Sequence, residues 1–257
     1  MFGRRKTRLK AHIPRSWGRR LALLVVVALV AVAFYFFGGR EAFRAPPEEP
    51  LPVTMNMQQE VAIGQQAAVQ LIQRHGGVDP DTEGQALVER IGARLVERSV
   101  AGETPYRFSF QLLADPTVVD AFALPGGPVF LTAGMVARLR TEGEFAAVLA
   151  HAIAHVAERH STRHVDQQNP TSAGAIDVTF TPGEEAQADT LAVRYMAEAG
   201  YDPRALIGVM QTLGRAAAGG NSPAFFDTHP HPDRRIEHIQ RAIGERYPGG
   251  VPEDLVK

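Results

Sequence analysis

No cysteine occurs anywhere in the 257 residues. That absence excludes disulfides, thiolate metal ligands, a cysteine nucleophile and a lipid-modified N-terminal cysteine, though it leaves the redox compartment open. No internal repeat is present. Net charge is nearly absent too, at −1, but the sum hides an asymmetry. Residues 1–44 hold ten of the 27 basic residues and one acidic residue, Glu41, which leaves 17 basic against 27 acidic residues in 45–257. A body with that acidic surplus is a poor nucleic-acid binder, so the basic cluster needs another explanation. Apolar residues make up 45% of the chain, enough for one good-sized core.

The basic cluster precedes the one long apolar run, Leu21 to Phe37. With Gly38 and Gly39 it would reach about 28 Å as a helix, close to the roughly 30 Å of a bilayer core. Eight Lys and Arg residues before it predict, by the positive-inside rule, a cytoplasmic N-terminus and an exported body. The expected organisation is a basic cytoplasmic segment 1–20, a transmembrane signal anchor 21–39, a Pro-rich linker 40–53 and a catalytic-sized domain 54–257. The expected location is the bacterial inner membrane, single-pass, with the C-terminal domain periplasmic. A cleaved signal peptide is the competing reading, since Ala31-Val32-Ala33 matches a small-x-small site, although Phe34 to Phe37 prolong the apolar run beyond a usual signal core.

Within the body, residues 57–74 and 83–98 read as amphipathic helices, the second opened by a Thr82-x-x-Gln85 capping box. Tyr106, Phe108, Phe110 and Leu112 alternate with polar residues, the period of a half-buried strand, and Pro128 to Thr132 follows Gly126-Gly127 as a second. Thr141-x-x-Glu144 caps a helix carrying Phe145, Val148, Leu149, Ile153 and Val156 at helical spacing. A polar stretch at about 164–183 reads as loop. A helix from about 184 ends at Gly200, Asp202-Pro203 opens the next, and Pro232-Asp233 opens a last one through Ile236, Ile239 and Ile243. The fold class is α+β, mainly helical, with a small sheet containing 106–113 and 128–132.

His151-Ala-Ile-Ala-His155 organises this body. Side chains at i and i+4 share a helix face roughly 5–6 Å apart, so both imidazoles can converge on one ion. A catalytic zinc site takes a third protein ligand. Glu185 lies on the following helix with Asp189 at i+4, which suits a ligand backed by a carboxylate that fixes a histidine tautomer. Glu184 is turned about 100° from its neighbour and Glu158 lies roughly 10 Å along the axis from His151, so both are worse placed. Seven of nine histidines fall between 151 and 238. On spacing alone a zinc centre and an ordinary packed histidine pair both stay open.

Seven ordered blocks add to this. Asp120-Ala-Phe-Ala-Leu-Pro-Gly-Gly127, Val129-Phe-Leu-Thr132 with Gly134-Met135, Glu144-x-Ala-Ala-Val-Leu-Ala-His151, the histidine pair, Glu185-Ala-Gln-Ala-Asp189, Gly200-Tyr-Asp-Pro203 and Thr228-His-Pro230 resemble the membrane-associated zinc endopeptidases of the HtpX-like, Oma-like, BepA-like and CAAX prenyl protease type. The similarity runs from about residue 57 to 245. It implies a zincin-like metalloprotease domain with one zinc per chain on His151, His155 and Glu185, Asp189 behind them, and protein or peptide substrates. It further implies that His229 stabilises the transition state or blocks the metal, and that Val129, Phe130, Leu131 and Thr132 form the edge on which substrate pairs. Read plainly, His229 could equally be a turn residue and the strand simply core.

The chain departs from that family in three places. Ala152 stands where His-Glu-x-x-His has its general base, and a methyl group cannot titrate. Only 29 residues separate His155 from Glu185, where the family usually has a longer insertion that covers the substrate. Asp120 stands where Asn is general. Three readings follow: a zinc-binding but proteolytically silent protein that holds polypeptide chains, an active endopeptidase of envelope quality control whose Glu was substituted by Ala152, or a metal-free tethered interaction module.

Overall fold

Asn56 opens the first helix, α1 (Met57–Arg74). Its side chain accepts the Gln59 amide at 3.0 Å while the Gln59 side chain accepts the Asn56 amide at 2.9 Å, so two donors that the helix cannot satisfy find partners. The structure, a computed structural model, describes residues 53–168, 178–218, 224–229 and 232–257. The expected membrane segment 21–39, its basic flank and residues 40–52 of the linker lie outside these. No helix among the described residues is long and apolar enough to cross a membrane.

Helix α2 (Thr82–Glu97) starts where expected but on a different cap. Asp81 Oδ1 accepts the amides of Glu83 and Gly84, each at 3.1 Å. Gln85, expected to close a box with Thr82, is used elsewhere. Its amide donates to the Phe110 carbonyl and accepts the Leu112 amide, both at 2.9 Å, and so covers the outer edge of β1 (Ser109–Leu113) as another strand would. The alternation from Tyr106 yields strand only from Ser109 onward. Tyr106 instead donates its hydroxyl to buried Glu60 at 3.2 Å.

Strands β2 (Ala121–Ala123) and β3 (Pro128–Thr132) complete the sheet in the order β1-β3-β2. β3 is parallel to β1, with Phe110 opposite Val129, and antiparallel to β2, with Phe122 opposite Phe130. The β2–β3 turn uses Gly126 and Gly127 at φ of +79° and +128°, a region that side chains with a Cβ avoid. This order corrects one expectation. Val129, Phe130, Leu131 and Thr132 form the middle strand, with both edges hydrogen-bonded, so no further chain can pair there. Among the described residues β2 is paired with no strand on its other side, where Ser161 Oγ donates to Ala123 O at 2.5 Å and Asp120 Oδ1 accepts the Ala121 amide at 2.8 Å.

After a short α3 (Ala133–Val136), α4 (Glu142–Ala157) carries the histidine pair. Thr141 Oγ1 accepts the Glu144 amide at 3.3 Å, while the Glu144 carboxylate accepts the Arg140 amide at 2.6 Å, one residue before the expected partner. Every residue from Phe145 to Val156 is buried. A helix apolar on all sides belongs in the middle of a core, and α4 packs against α2, β2 and two later helices, α6 (Pro182–Glu198) and α7 (Arg204–Ala218).

Between α4 and α6, residues 160–168 form α5 (His160–Gln168), where loop was expected from about 164. The rest of that stretch to 177 lies outside the described residues. Helix α6 ends as its glycine predicts: Gly200 sits at φ +79°, its amide reaches Ala197 O at 3.2 Å, and the Tyr201 amide reaches Met196 O at 2.8 Å. Helix α8 (Phe225–Thr228) and α9 (Pro232–Arg246) follow, the latter with Ile239 and Ile243 buried. The class is α+β, mainly helical with a three-stranded sheet.

Candidate metal centre

His151 and His155 lie one turn apart on α4, and their Nε2 atoms converge to 3.0 Å. Glu185, in the first turn of α6, places Oε2 3.7 Å from His151 Nε2 and Oε1 3.5 Å from His155 Nε2. His229, just past α8, brings its ring within 5.4 Å and 5.3 Å of the other two rings, centroid to centroid. One potential ligand atom from each of the four residues fits within 4.8 Å of the others, and all four residues are buried. Asp189 stands one turn beyond Glu185, with Oδ1 3.1 Å from His151 Nδ1. The structure thus brings together His151, His155, Glu185 and Asp189, which helical spacing groups, and adds His229, which the resemblance alone implies.

Burial sets the charge states. It pushes His155 and His229 well below the ordinary imidazole range, with the neighbouring imidazole of His151 adding to it; His151 is lowered for the same first reason, with Arg235 adding. Neutral imidazoles are the ligating form. Burial acts on Asp189 in the opposite sense, but Arg235 and His151 together outweigh it and hold that carboxyl well below its usual value. Glu185 is raised well above its usual value by burial, against the pull of Arg235.

Whether these residues fit a metal can be read from the hydrogen bonds. Asp189 is held ionised and accepts only, so His151 donates Nδ1–H to it and carries a lone pair on Nε2. That lone pair faces His155 Nε2 at 3.0 Å, and both Glu185 oxygens border the same spot without an aligned hydrogen-bond donor among the described residues. Arg235 Nη1 does approach Glu185 Oε2 to 2.7 Å, as an ion pair lacking hydrogen-bond alignment. Ligand atoms on a tetrahedral zinc ion with arms of about 2.0–2.1 Å stand roughly 3.3 Å apart. The observed 3.0, 3.5 and 3.7 Å bracket that spacing. The donor set fits a divalent cation.

Other predicted residues resolve differently. Glu184 accepts from His164 at 2.8 Å and lies 3.8 Å from Arg163, so it is occupied away from the centre. Glu158 accepts the Gln187 amide at 2.6 Å. Ala152 is buried on α4 between the two ligands and brings no polar atom. Three contributors escaped the spacing argument. Arg235 from α9 makes paired hydrogen bonds to Asp189 at 2.7 and 2.9 Å; Phe180 lies over His155 at 3.8 Å between centroids; and Phe225 stacks parallel on His229 at 4.2 Å. The two phenylalanines make the surroundings of the imidazoles apolar, and with Thr228 and His229, Phe180 borders a small cavity along β2.

Comparison with known proteins agrees with this geometry. The beta-barrel assembly-enhancing protease of Yersinia pestis is 28% identical over 193 residues, covering 63% of this chain and 39% of that protein. The mitochondrial metalloendopeptidase OMA1 of Schizosaccharomyces pombe is 29% identical over 180 residues, covering 62% and 52%. The metalloprotease YcaL of Escherichia coli K12 is 24% identical over 165 residues, covering 54% and 63%. The chain thus spans about two-fifths to two-thirds of the length of these relatives. A sequence model of a metal-dependent peptidase family, typically zinc-dependent, matches residues 82–180 and 171–243, and on that match the chain belongs to peptidase family M48.

Proposed function

We propose that this chain is a zinc-binding member of its family that holds extended segments of envelope proteins beside the metal and cleaves them weakly or not at all. One observation carries the reading: the ligand set is assembled and buried while residue 152, between the two histidines, ends in a methyl group. When bound, a zinc ion supplies Lewis-acid polarisation of a peptide carbonyl and of water. Ala152 cannot take a proton from that water or return one to the leaving amine. Positioned acid–base catalysis contributes typically 10²–10⁴-fold, so its loss leaves binding ahead of turnover. Substrate pairing is assigned to β2. Thr132 N–H donates to Asp120 O and Leu124 N–H to Pro128 O, which by antiparallel parity turns the backbone groups of Ala121 and Ala123 outward. Asp120 Oδ1 accepts the Ala121 amide and Ser161 Oγ donates to Ala123 O, so pairing there rests on Ala121 O and Ala123 N–H or displaces those side chains. Residues 21–39 would tether this domain to the outer face of the inner membrane.

A second reading shares the same observation. An intact donor set around one alanine is also what an active endopeptidase carrying a single substitution would present. The test is casein cleavage by the full chain and by Ala152→Glu, each with its zinc content measured. About one zinc per chain, an inert wild type and a gain of 10² or more in Ala152→Glu support a competent groove lacking only its base. Comparable cleavage by both proteins would overturn the silent reading.

A further inference from the structure

His155 faces a third histidine on the side away from the metal centre, and the chain takes an unusual path to put it there. Arg159, between α4 and α5, has φ of +59°, the single non-glycine residue with positive φ among those described. Its guanidinium is held by the Met55 carbonyl at 2.9 Å and by buried Glu60 at 3.0 Å, and Glu60 also accepts from Tyr106 and Thr162. Such a backbone conformation persists where surrounding contacts fix it. On an uninterrupted helix, residues five apart point about 140° away from each other. After the turn at Arg159, His160 instead lies against His155, with the two Nδ1 atoms 3.0 Å apart and the rings at 73°.

The direction of that hydrogen bond follows from the far end of a chain of groups. Glu158, when ionised, only accepts, so the Gln187 NH₂ group faces it at 2.6 Å. Gln187 Oε1 is then left for His160 Nε2 at 3.2 Å, which must donate. A neutral His160 has one N–H, so its Nδ1 is the acceptor toward His155. His155 therefore donates from Nδ1 and keeps its lone pair on Nε2, the nitrogen turned toward His151 and Glu185.

We propose that His160 is a positioning residue that fixes His155 as the Nδ1–H tautomer, with Glu158 and Gln187 setting the direction of the chain. This rests on reading the centre as a metal site. The two ligating histidines are then held by different means: His151 by a carboxylate, Asp189, and His155 by a neutral imidazole. Partners that orient a ligating histidine typically account for 10–100-fold in metal affinity, and that range is expected here.

The experiment uses the full chain labelled with ¹⁵N-histidine, comparing wild type, His160→Leu and His160→Asn. Leu fills the space without an acceptor, whereas Asn presents Oδ1 near the place of Nδ1. Imidazole nitrogen shifts in the metal-free protein report the His155 tautomer, and competition with a chelator reports zinc affinity. Expected are an Nδ1–H His155 in wild type, its loss in His160→Leu together with a 10–100-fold fall in affinity, and recovery of both in His160→Asn. An Nε2–H His155 in wild type overturns the proposal. So does an equal loss of affinity in both variants with the tautomer unchanged, which assigns His160 to packing. A wild type that takes up no zinc while keeping the Nδ1–H tautomer overturns the metal reading and supports the relay.

Discussion

Arg235 Nη1 lies 2.7 Å from Glu185 Oε2, both groups fully buried. The same guanidinium makes two hydrogen bonds to Asp189. One cation thus offsets two carboxyl groups in the interior of the metal centre, and α9 is tied to α6 through it. Breaking a buried pair by removing one partner leaves an uncompensated charge and costs about 3–5 kcal/mol. Arg235→Leu is expected to destabilise the metal-free chain by that amount in urea unfolding, with part of the loss recovered on adding zinc, since a divalent cation offsets the same carboxyl groups. A change under about 1 kcal/mol would sink this account of the centre.

Asp120 carries a pH dependence that its more usual counterpart, Asn, would not. The side chain is buried, accepts one hydrogen bond, from the Ala121 amide at 2.8 Å, and is raised by burial from 3.8 to about 7. Because the folded value lies above the unfolded one, stability is full below about pH 4 and is lost as pH rises through about 7. Asp120→Asn keeps an acceptor for Ala121 and removes the titration. Its gain in unfolding free energy at pH 8 should exceed the gain at pH 5 by about 2–3 kcal/mol. Equal gains at both pH values would show that Asp120 titrates normally.

What the sequence made legible, and what it hid, divides by range. Thr141, Gly200 and the histidine pair act through neighbours within a turn or so, and the helices they mark lie where expected. The sheet order does not follow from local pattern. Both β1 and β3 read as strands, but which one sits in the middle depends on β2, three residues that no alternation marks. Gln85 read as a capping residue because its use at the edge of β1 is visible only in three dimensions. Arg235 left a signal that went unread. It shares an i, i+4, i+8 row with Ile239 and Ile243, and a cation on a buried stripe calls for a buried acidic partner. His160 left none, since its approach to His155 depends on a left-handed Arg159.

Glu185, not a histidine, should set how zinc binding depends on pH. Ligands must be deprotonated, so each group protonated in the metal-free chain releases a proton on uptake. His155 and His229 are held well below the imidazole range by burial and their neighbours, and His151 is lowered as well, so none has a proton to release near neutrality. The Glu185 carboxyl is raised by burial, against the pull of Arg235, so it is the one ligand among the four whose shift favours a bound proton in the metal-free chain. Zinc affinity should therefore fall as pH drops below the raised Glu185 value, with a slope of about one proton per ion rather than two or three. Titration calorimetry in buffers of different ionisation enthalpy, kept below about pH 6 so that a zinc-bound water with a pKa of about 7 keeps its proton, counts those protons directly. In Glu185→Gln the weakened binding should release none over the same range. Release of two or more protons by wild type would mean that the histidines are charged in the metal-free protein, and that burial does not govern this centre.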